Sequence, residues 1–174
     1  MAPRRISTAS SRPSGVSGAW FGQDALTTSL ALDAAAADPA VEAVVSGPVA
    51  VRGDRASLER SLSNLVENAH RHGPDGGRIV VTVDEAGGVA RLSVRDEGRG
   101  LQPYQAERAF ERFWRGDGSS VGSGLGLAIV RATAERHGGR AFAERAVFTV
   151  ELPVVRDLSE STGTTGATPE KGSS

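Results

Sequence analysis

Apolar and polar positions change rhythm several times along this chain, and each change marks a predicted element. Asp24–Ala37 is rich in Ala and Leu and stops before Asp38-Pro39, which predicts a helix. Val41–Val45 and Val49–Val51, broken by Gly47-Pro48, predict a strand pair. Asp54 is placed to cap a helix that runs to Gly73. Arg78–Asp84 and Val89–Arg95 alternate apolar and polar residues around Gly87-Gly88, the signature of a hairpin. The pattern loosens from Asp96 to Val121, with a short helix near Gln105–Phe113. Another helix starts at Gly124 and ends at Gly138-Gly139, and Arg140–Glu144 and Val147–Leu152 form a last hairpin before Pro153. The order predicts an α/β fold, a two-layer sandwich in which a mixed, mostly antiparallel sheet is covered on one face by about three helices.

The helix from Asp54 to Gly73 has two distinct faces. At about 100° per residue, with Asn64 at zero, Leu58, Leu62, Leu65, Val66 and Ala69 fall between about 100° and 200° and must face a core. Ser61, Asn68, Arg71 and His72 cluster beside Asn64 in a narrow polar stripe. Asn is a mediocre helix former, so two of them one turn apart call for a reason. Their carboxamide oxygens suit a hard cation such as magnesium, and a guanidinium one turn on suits phosphate. A solvated polar flank fits this helix alone equally well.

Composition narrows the class. The 174 residues carry a net charge of −1, which gives no sign of a nucleic-acid surface or a polybasic membrane patch. There is no cysteine, which excludes disulfides and thiolate metal sites. No apolar run approaches the roughly 20 residues that span a bilayer. The start has no apolar core behind Arg4 and Arg5 and is not a secretory signal. These features predict a soluble, cytoplasmic protein without membrane contact. Both ends are rich in Ser, Gly, Thr and Pro, so residues 1–20 and 156–174 are expected to be disordered around one domain over 21–155.

Two glycine strings add candidate chemistry. Asp96-Glu97-Gly98-Arg99-Gly100 follows a strand, where the glycines let the backbone turn tightly and Asp96 can accept a hydrogen bond from an exocyclic amine. Gly122-Ser123-Gly124-Leu125-Gly126-Leu127 opens a helix, whose free N–H groups and positive dipole end favour phosphates. Because that string follows a loop rather than a strand, it fails the context of a dinucleotide fingerprint. Between them lies Phe110-Glu111-Arg112-Phe113-Trp114-Arg115-Gly116-Asp117. Its aromatic residues suit either the anchor of a mobile flap or a small satellite core, and Arg112 and Arg115 are candidates to reach a phosphate.

In this order the segments resemble the ATP-binding domain of bacterial sensor histidine kinases, in the GHKL superfamily. NLVENAHRHG (Asn64–Gly73) is similar to the N box, DEGRG (Asp96–Gly100) to the G1 box, FERFWRG (Phe110–Gly116) to the F box, and GSGLGLAIV (Gly122–Val130) to the G2 box. The resemblance covers about Asp24 to Pro153. It implies ATP and Mg2+ as cofactors, with Asn68 on the metal and Asn64 as a second ligand or water-positioning group. It further implies Arg71 near the phosphates, with His72 where the family often has Tyr. Asp96 is implied on the adenine amine, with Gly98 and Gly100 shaping the pocket. Gly122, Gly124, Leu125, Gly126 and Leu127 are implied as the phosphate-side hinge of a lid over residues 102–121.

Departures from the family shape the functional expectation. Nothing before Asp24 is long or regular enough for the helical hairpin that carries the family's phospho-acceptor histidine. The γ-phosphate is therefore expected to go to a histidine outside this chain, on a dimerisation and phosphotransfer domain, with a response regulator further downstream. His70 points away from both stripes and is expected to be solvated; His137, at a helix end, is expected to favour positive charge. A long glycine- and threonine-containing G3 turn is not visible in the last hairpin, and a small effect on affinity is expected. The rivals are an ATP hydrolase of the gyrase or mismatch-repair type, an anti-sigma-type serine kinase and a nucleotide-dependent protein-binding module. Asn64 stands where the hydrolases place a general-base Glu.

Overall fold

A computed structural model describes residues 4–5, 24–116 and 123–154. The elements are β1 (Arg4–Arg5), β2 (Asp24–Leu26), α1 (Thr27–Ala37), β3 (Val41–Val45), β4 (Ala50–Arg52), α2 (Arg55–His72), β5 (Ile79–Ala86), β6 (Val89–Arg95), α3 (Pro103–Arg108), α4 (Gly126–Arg136), β7 (Arg140–Glu144) and β8 (Val147–Pro153). Both expected disordered ends lie outside the described residues, apart from β1.

Six strands form one sheet in the order β1-β3-β5-β6-β8-β7. Only β3 and β5 run parallel, and the other pairs are antiparallel. This is the mixed, mostly antiparallel sheet that the sequence predicts. Register puts Val81, Val94 and Phe148 in one row and Val83, Leu92 and Val150 in the next, all buried. Against these rows pack Leu30, Ala31 and Ala35 of α1, Leu58, Leu62, Leu65 and Ala69 of α2, and Val130 and Ala134 of α4. The opposite face carries Thr82, Ser93 and Thr149, and beside them Asp84, Arg91, Glu151 and Arg140. One face is therefore covered by helices, as binary patterning dictates.

Several boundaries differ from the expectation. The predicted helix from Asp24 loses its first three residues to β2, which pairs antiparallel with β4. The predicted partnership of Val41–Val45 with Val49–Val51 is not formed. A parallel crossover through α2 seats β3 beside β5, while β4 turns to β2. The helix expected near Gln105–Phe113 starts earlier, at Pro103, where Gln102 and Gln105 form a capping box, and ends at Arg108. The last predicted helix begins at Gly126 instead of Gly124, because Gly124 has φ +67 and cannot sit in a right-handed helix. The central hairpin turns through Gly87 and Gly88, both at positive φ, as a two-residue turn requires.

Candidate functional site

The cap of α2 fixes where its polar stripe lands. Asp54 accepts from the Ser57 N–H (2.9 Å), and Gly73 donates its N–H to the Ala69 carbonyl at the other end (2.8 Å). The apolar stripe is buried as predicted, which leaves the Asn64–Asn68 flank facing the start of α4. There the Asn64 Nδ2 donates to the Gly126 carbonyl (3.3 Å), so its Oδ1 is left to accept from or ligate another group. One step along, the Asn68 Nδ2 is buried without a partner among the described residues. A buried carboxamide left unpaired costs about 1–3 kcal/mol unless something else meets it. Ser61, assigned to the same stripe, is instead buried and donates to the Ser57 carbonyl (2.9 Å), which removes it from the site.

The turn after β6 meets the end of the same helix. Asp96 is 5 % exposed, and its Oδ1 accepts from the Gly98 N–H at 2.7 Å. Its second oxygen accepts no hydrogen bond among the described residues, which leaves it available to an amine. A Cβ on Gly98 would stand 2.6 Å from the His72 carbonyl, and one on Gly73 would stand 3.4 Å from the Asp96 Cβ. These glycines are what allow the turn and the helix end to touch. Gly100, at φ +69, lies against the backbone of Arg145 and Ala146. Asp96 donates its N–H to the Ala146 carbonyl (3.3 Å), and Leu101 donates to the Arg145 carbonyl (2.9 Å). The short β7–β8 turn thus supports the Asp96 turn directly, with Arg145 itself at φ 54. Nothing in the sequence pattern pointed to that contact, because it is made entirely by backbone.

The remaining candidates are less enclosed. Arg71 and His72 are exposed at the end of α2. Surrounding protein still desolvates the His72 ring, and that lowers its pKa below the ordinary imidazole value. The Arg71 charge adds to the lowering and Asp96 opposes it. Gly124 and Leu125 lead into α4 and Gly126 and Leu127 open it, all half-buried, with the Leu125 N–H donating to the Ser123 Oγ (3.4 Å). A Cβ on Gly126 would only graze Asn64, at 3.7 Å, so protein packing alone does not demand glycine there. Phe110 is the anchor of the segment before it, buried edge-on to Phe148 with ring centroids 6.4 Å apart. Arg112 and Arg115 are exposed and make no hydrogen bond or ion pair among the described residues. Gly122, and the lid from residue 117 to 121, lie outside the described residues.

Two histidines make contacts that the sequence did not announce. His70 is exposed, as expected, and its Nε2 also pairs with the Asp38 Oδ2 at 2.6 Å. His137 is bonded on both ring nitrogens: its Nε2 accepts from the Asp54 N–H (3.1 Å) while its Nδ1 donates to the Thr133 carbonyl (2.7 Å). A cavity of about 270 Å³ is walled by Ala69, His70, Gly73, Pro74, Arg78 and Asp96. It shares only Asp96 with the candidate set and lies on the flank of α2 away from Asn64 and Asn68.

Known proteins place this arrangement. The family described as histidine kinase-, DNA gyrase B-, and HSP90-like ATPase matches residues 53–165. The chain is 46% identical over 108 residues to the sensor protein IrlS of Burkholderia pseudomallei, covering 60% of this chain and 23% of that protein. It is 40% identical over 119 residues to the signal transduction histidine-protein kinase BaeS of Escherichia coli, covering 63% of this chain and 26% of that protein. It therefore spans about a quarter of the length of these relatives. The fold superposes on the mycobacterial sensor histidine kinase MprB with TM-score 0.63 and 32% identity, covering 75% of this chain and 96% of that one. It also matches the ATP binding domain of PrrB from Mycobacterium tuberculosis, with TM-score 0.61 and 28% identity over 76% of this chain and 96% of that one. The chain belongs to the histidine kinase-, DNA gyrase B-, and HSP90-like ATPase family and has the fold of the ATP-binding catalytic domain of sensor histidine kinases.

Proposed function

We propose that this domain binds ATP together with Mg2+ and passes the γ-phosphate to a histidine outside the chain. The observation that carries the reading is the junction of three segments: Asn64 on α2 touches Gly126 at the start of α4, and the Asp96 turn packs on the end of α2. In this reading the free Asp96 oxygen accepts from the adenine amine, with Gly98 and Gly100 keeping the turn close and His72 beside it. The helix start at Gly124–Leu127 offers N–H groups to the phosphates, and Arg71 adds positive charge.

The residues suit magnesium. The unpartnered Asn68 carboxamide and the unused Oδ1 of Asn64 are hard oxygen donors once the amide is oriented. The described residues hold no group of three or more His, Cys, Asp or Glu that could bind a metal, so the two carboxamides are the protein groups that would hold such an ion. The chemistry that such an ion would supply is neutralisation of phosphate charge. The protein's own part is positioning: it fixes the adenine end, seats the phosphates at a helix terminus and holds the carboxamides in place.

None of the three histidines is placed as an acceptor. His70 is paired with Asp38, His72 belongs to the site, and His137 is bonded on both nitrogens. An acceptor domain on another chain or on a segment outside this one is the partner we propose, with a response regulator further downstream. A cytoplasmic setting fits, and among the described residues no helix is long and apolar enough to cross a membrane. Hydrolysis is disfavoured because Asn64 cannot take a proton from water.

Calorimetry with a non-hydrolysable ATP analogue tests the reading. Binding should require magnesium, and Asn68→Ala and Asp96→Ala should each weaken it by at least ~1–3 kcal/mol. Equal binding with and without magnesium would remove the metal from the proposal. Labelled ATP mixed with candidate acceptor domains then tests the transfer.

A further inference from the structure

The two helices that carry the site pack together and are hydrogen-bonded at both ends of their overlap. At one, the Asn64 side chain donates to the Gly126 carbonyl. At the other, His137 just past the end of α4 accepts from the Asp54 N–H at the cap of α2. At about 1.5 Å per residue, these contacts lie about 15 Å apart along α2 and about 16 Å apart along α4. The spans match, so the helices lie antiparallel and are fastened at both ends of their overlap.

We propose that His137 is a positioning residue: as a neutral imidazole with its proton on Nδ1, it straps the end of α4 to the start of α2 and sets how the phosphate-facing helix start sits against the asparagine stripe. The inference rests on the nucleotide reading above. Three observations carry it. Nδ1 lies 2.7 Å from the Thr133 carbonyl, which can only accept, so Nδ1 carries the proton. Nε2 lies 3.1 Å from the Asp54 N–H, which can only donate, so Nε2 does not. The ring also fills the space over Gly53, where a Cβ would stand 2.4 Å from the His137 Cδ2.

Protonation places a second donor against the Asp54 N–H and breaks the strap. The Asp54 carboxylate is engaged by Ser57, whose hydroxyl also receives the Arg136 guanidinium (3.0 Å). Arg52 precedes Gly53 on β4, and Glu135 is bonded to Arg131 (2.9 Å). Acidification should therefore loosen the helix pair through His137 itself.

The experiment is nitrogen-15 NMR of the imidazoles of the full chain, together with magnesium–ATP-analogue affinity. Wild type, His137→Gln, His137→Ala and Gly53→Ala are compared between about pH 5.5 and about pH 8. The signals lost in His137→Gln identify the ring, and they should report a proton on Nδ1. Gln keeps an uncharged acceptor for Asp54, so it should bind within about twofold of wild type, whereas Ala should bind about three- to tenfold more weakly, the scale of one hydrogen bond. As pH falls, wild type should lose affinity relative to His137→Gln, a difference that a merely structural histidine would not produce. Should His137→Ala fail to unfold cooperatively, Gly53→Ala reads the same strap by displacing the ring. A proton on Nε2, wild-type affinity in a folded His137→Ala or Gly53→Ala, or parallel pH profiles each overturn the proposal. Wild type that does not bind the analogue overturns the nucleotide reading and this inference with it; wild type that binds, with no response at His137, overturns this inference alone.

Discussion

The floor of the candidate site and the segment that borders it are built in different ways. On the floor, α2 and the Asp96 turn draw on regular elements: Asp96 is 5 % exposed, and the turn after it is bonded to the β7–β8 turn at two carbonyls. Among its described residues, the border from Gln102 to Leu125 has one short helix with no buried residue, a Tyr104 that is 60 % exposed and a Phe113 that is 71 % exposed. Its described ties are Ala109 and Phe110 in the core, Ala106 and Trp114 packed against it, and a Phe113 N–H bonded to the Gly124 carbonyl (3.0 Å). The contrast teaches that the Asp96 half of the candidate site is built into the folding core, while the described part of the border rests on a few residues beside it. Substitutions on the floor should therefore act on stability and binding together, and those on the border mainly on binding.

A pair of glycines gives the largest expected effect. Both Gly100 and Gly124 have φ near +70 in a chain that turns left-handed there. An alanine at Gly100 would also put its Cβ 2.3 Å from the Arg145 carbonyl carbon, in a turn bonded to the sheet. Gly100→Ala should cost ~3 kcal/mol or more in denaturant unfolding, from strain and collision together. At Gly124 the nearest atom is Phe113 Cα at 2.9 Å, on a segment with more freedom to shift. Gly124→Ala should cost about 1–2 kcal/mol and weaken nucleotide binding more than it lowers the unfolding midpoint. Equal losses of stability would erase the distinction between floor and border.

Next in size is Asp96→Asn. Asn keeps an acceptor for the Gly98 N–H, so the turn should survive, yet the charge that favours an amine is gone. Affinity for an adenine nucleotide should fall by ~1–3 kcal/mol. Wild type should discriminate against a nucleotide that lacks the exocyclic amine, and the variant should discriminate less. Discrimination that stays the same in the variant would separate Asp96 from the base.

The outer face of the sheet supplies a control remote from both regions. Arg91 (2.8 Å) and Arg140 (2.7 Å) flank Glu151, which is 8 % exposed because their side chains cover it. Hydrogen bonds from Arg140 and then Arg91 hold its carboxyl below the ordinary value, against the opposing effect of burial. A lowered folded pKa contributes stability above the unfolded carboxylate value, about 4.3, and that stability is lost as pH falls through the folded value. Glu151→Gln should therefore cost ~1 kcal/mol at neutral pH, with the gap to wild type closing in acid and nucleotide affinity unchanged.

What was legible in the sequence follows the same division. The faces of α2 could be read because 3.6-residue periodicity forces Leu58, Leu62, Leu65 and Ala69 to one side, and its cap and end were marked by Asp54 and Gly73. The central hairpin was announced by Gly87-Gly88. The pairing of β2 with β4 was not, since three-residue strands leave too little pattern to name a partner. Nor was the support of Asp96 by Arg145 and Ala146, which involves no side chain. His137 was visible as a residue, but a helix-end charge is a local argument, and its actual partner, Asp54, is 83 positions away in sequence.

The smallest expected effect probes the border alone. Phe113 has φ 62, a conformation that costs an ordinary side chain about 1 kcal/mol or more and that a bulky residue rarely adopts. Its ring is mostly in solvent, so little burial offsets that cost, and what holds the backbone is the hydrogen bond to Gly124. Glycine removes the strain but widens the unfolded ensemble, and the two terms are of similar size and opposite sign. Phe113→Gly should therefore change stability by no more than ~0.5 kcal/mol in a denaturant titration. A loss beyond about 1 kcal/mol would mean that the ring packs on something, and the border would then have to be regarded as an extension of the core.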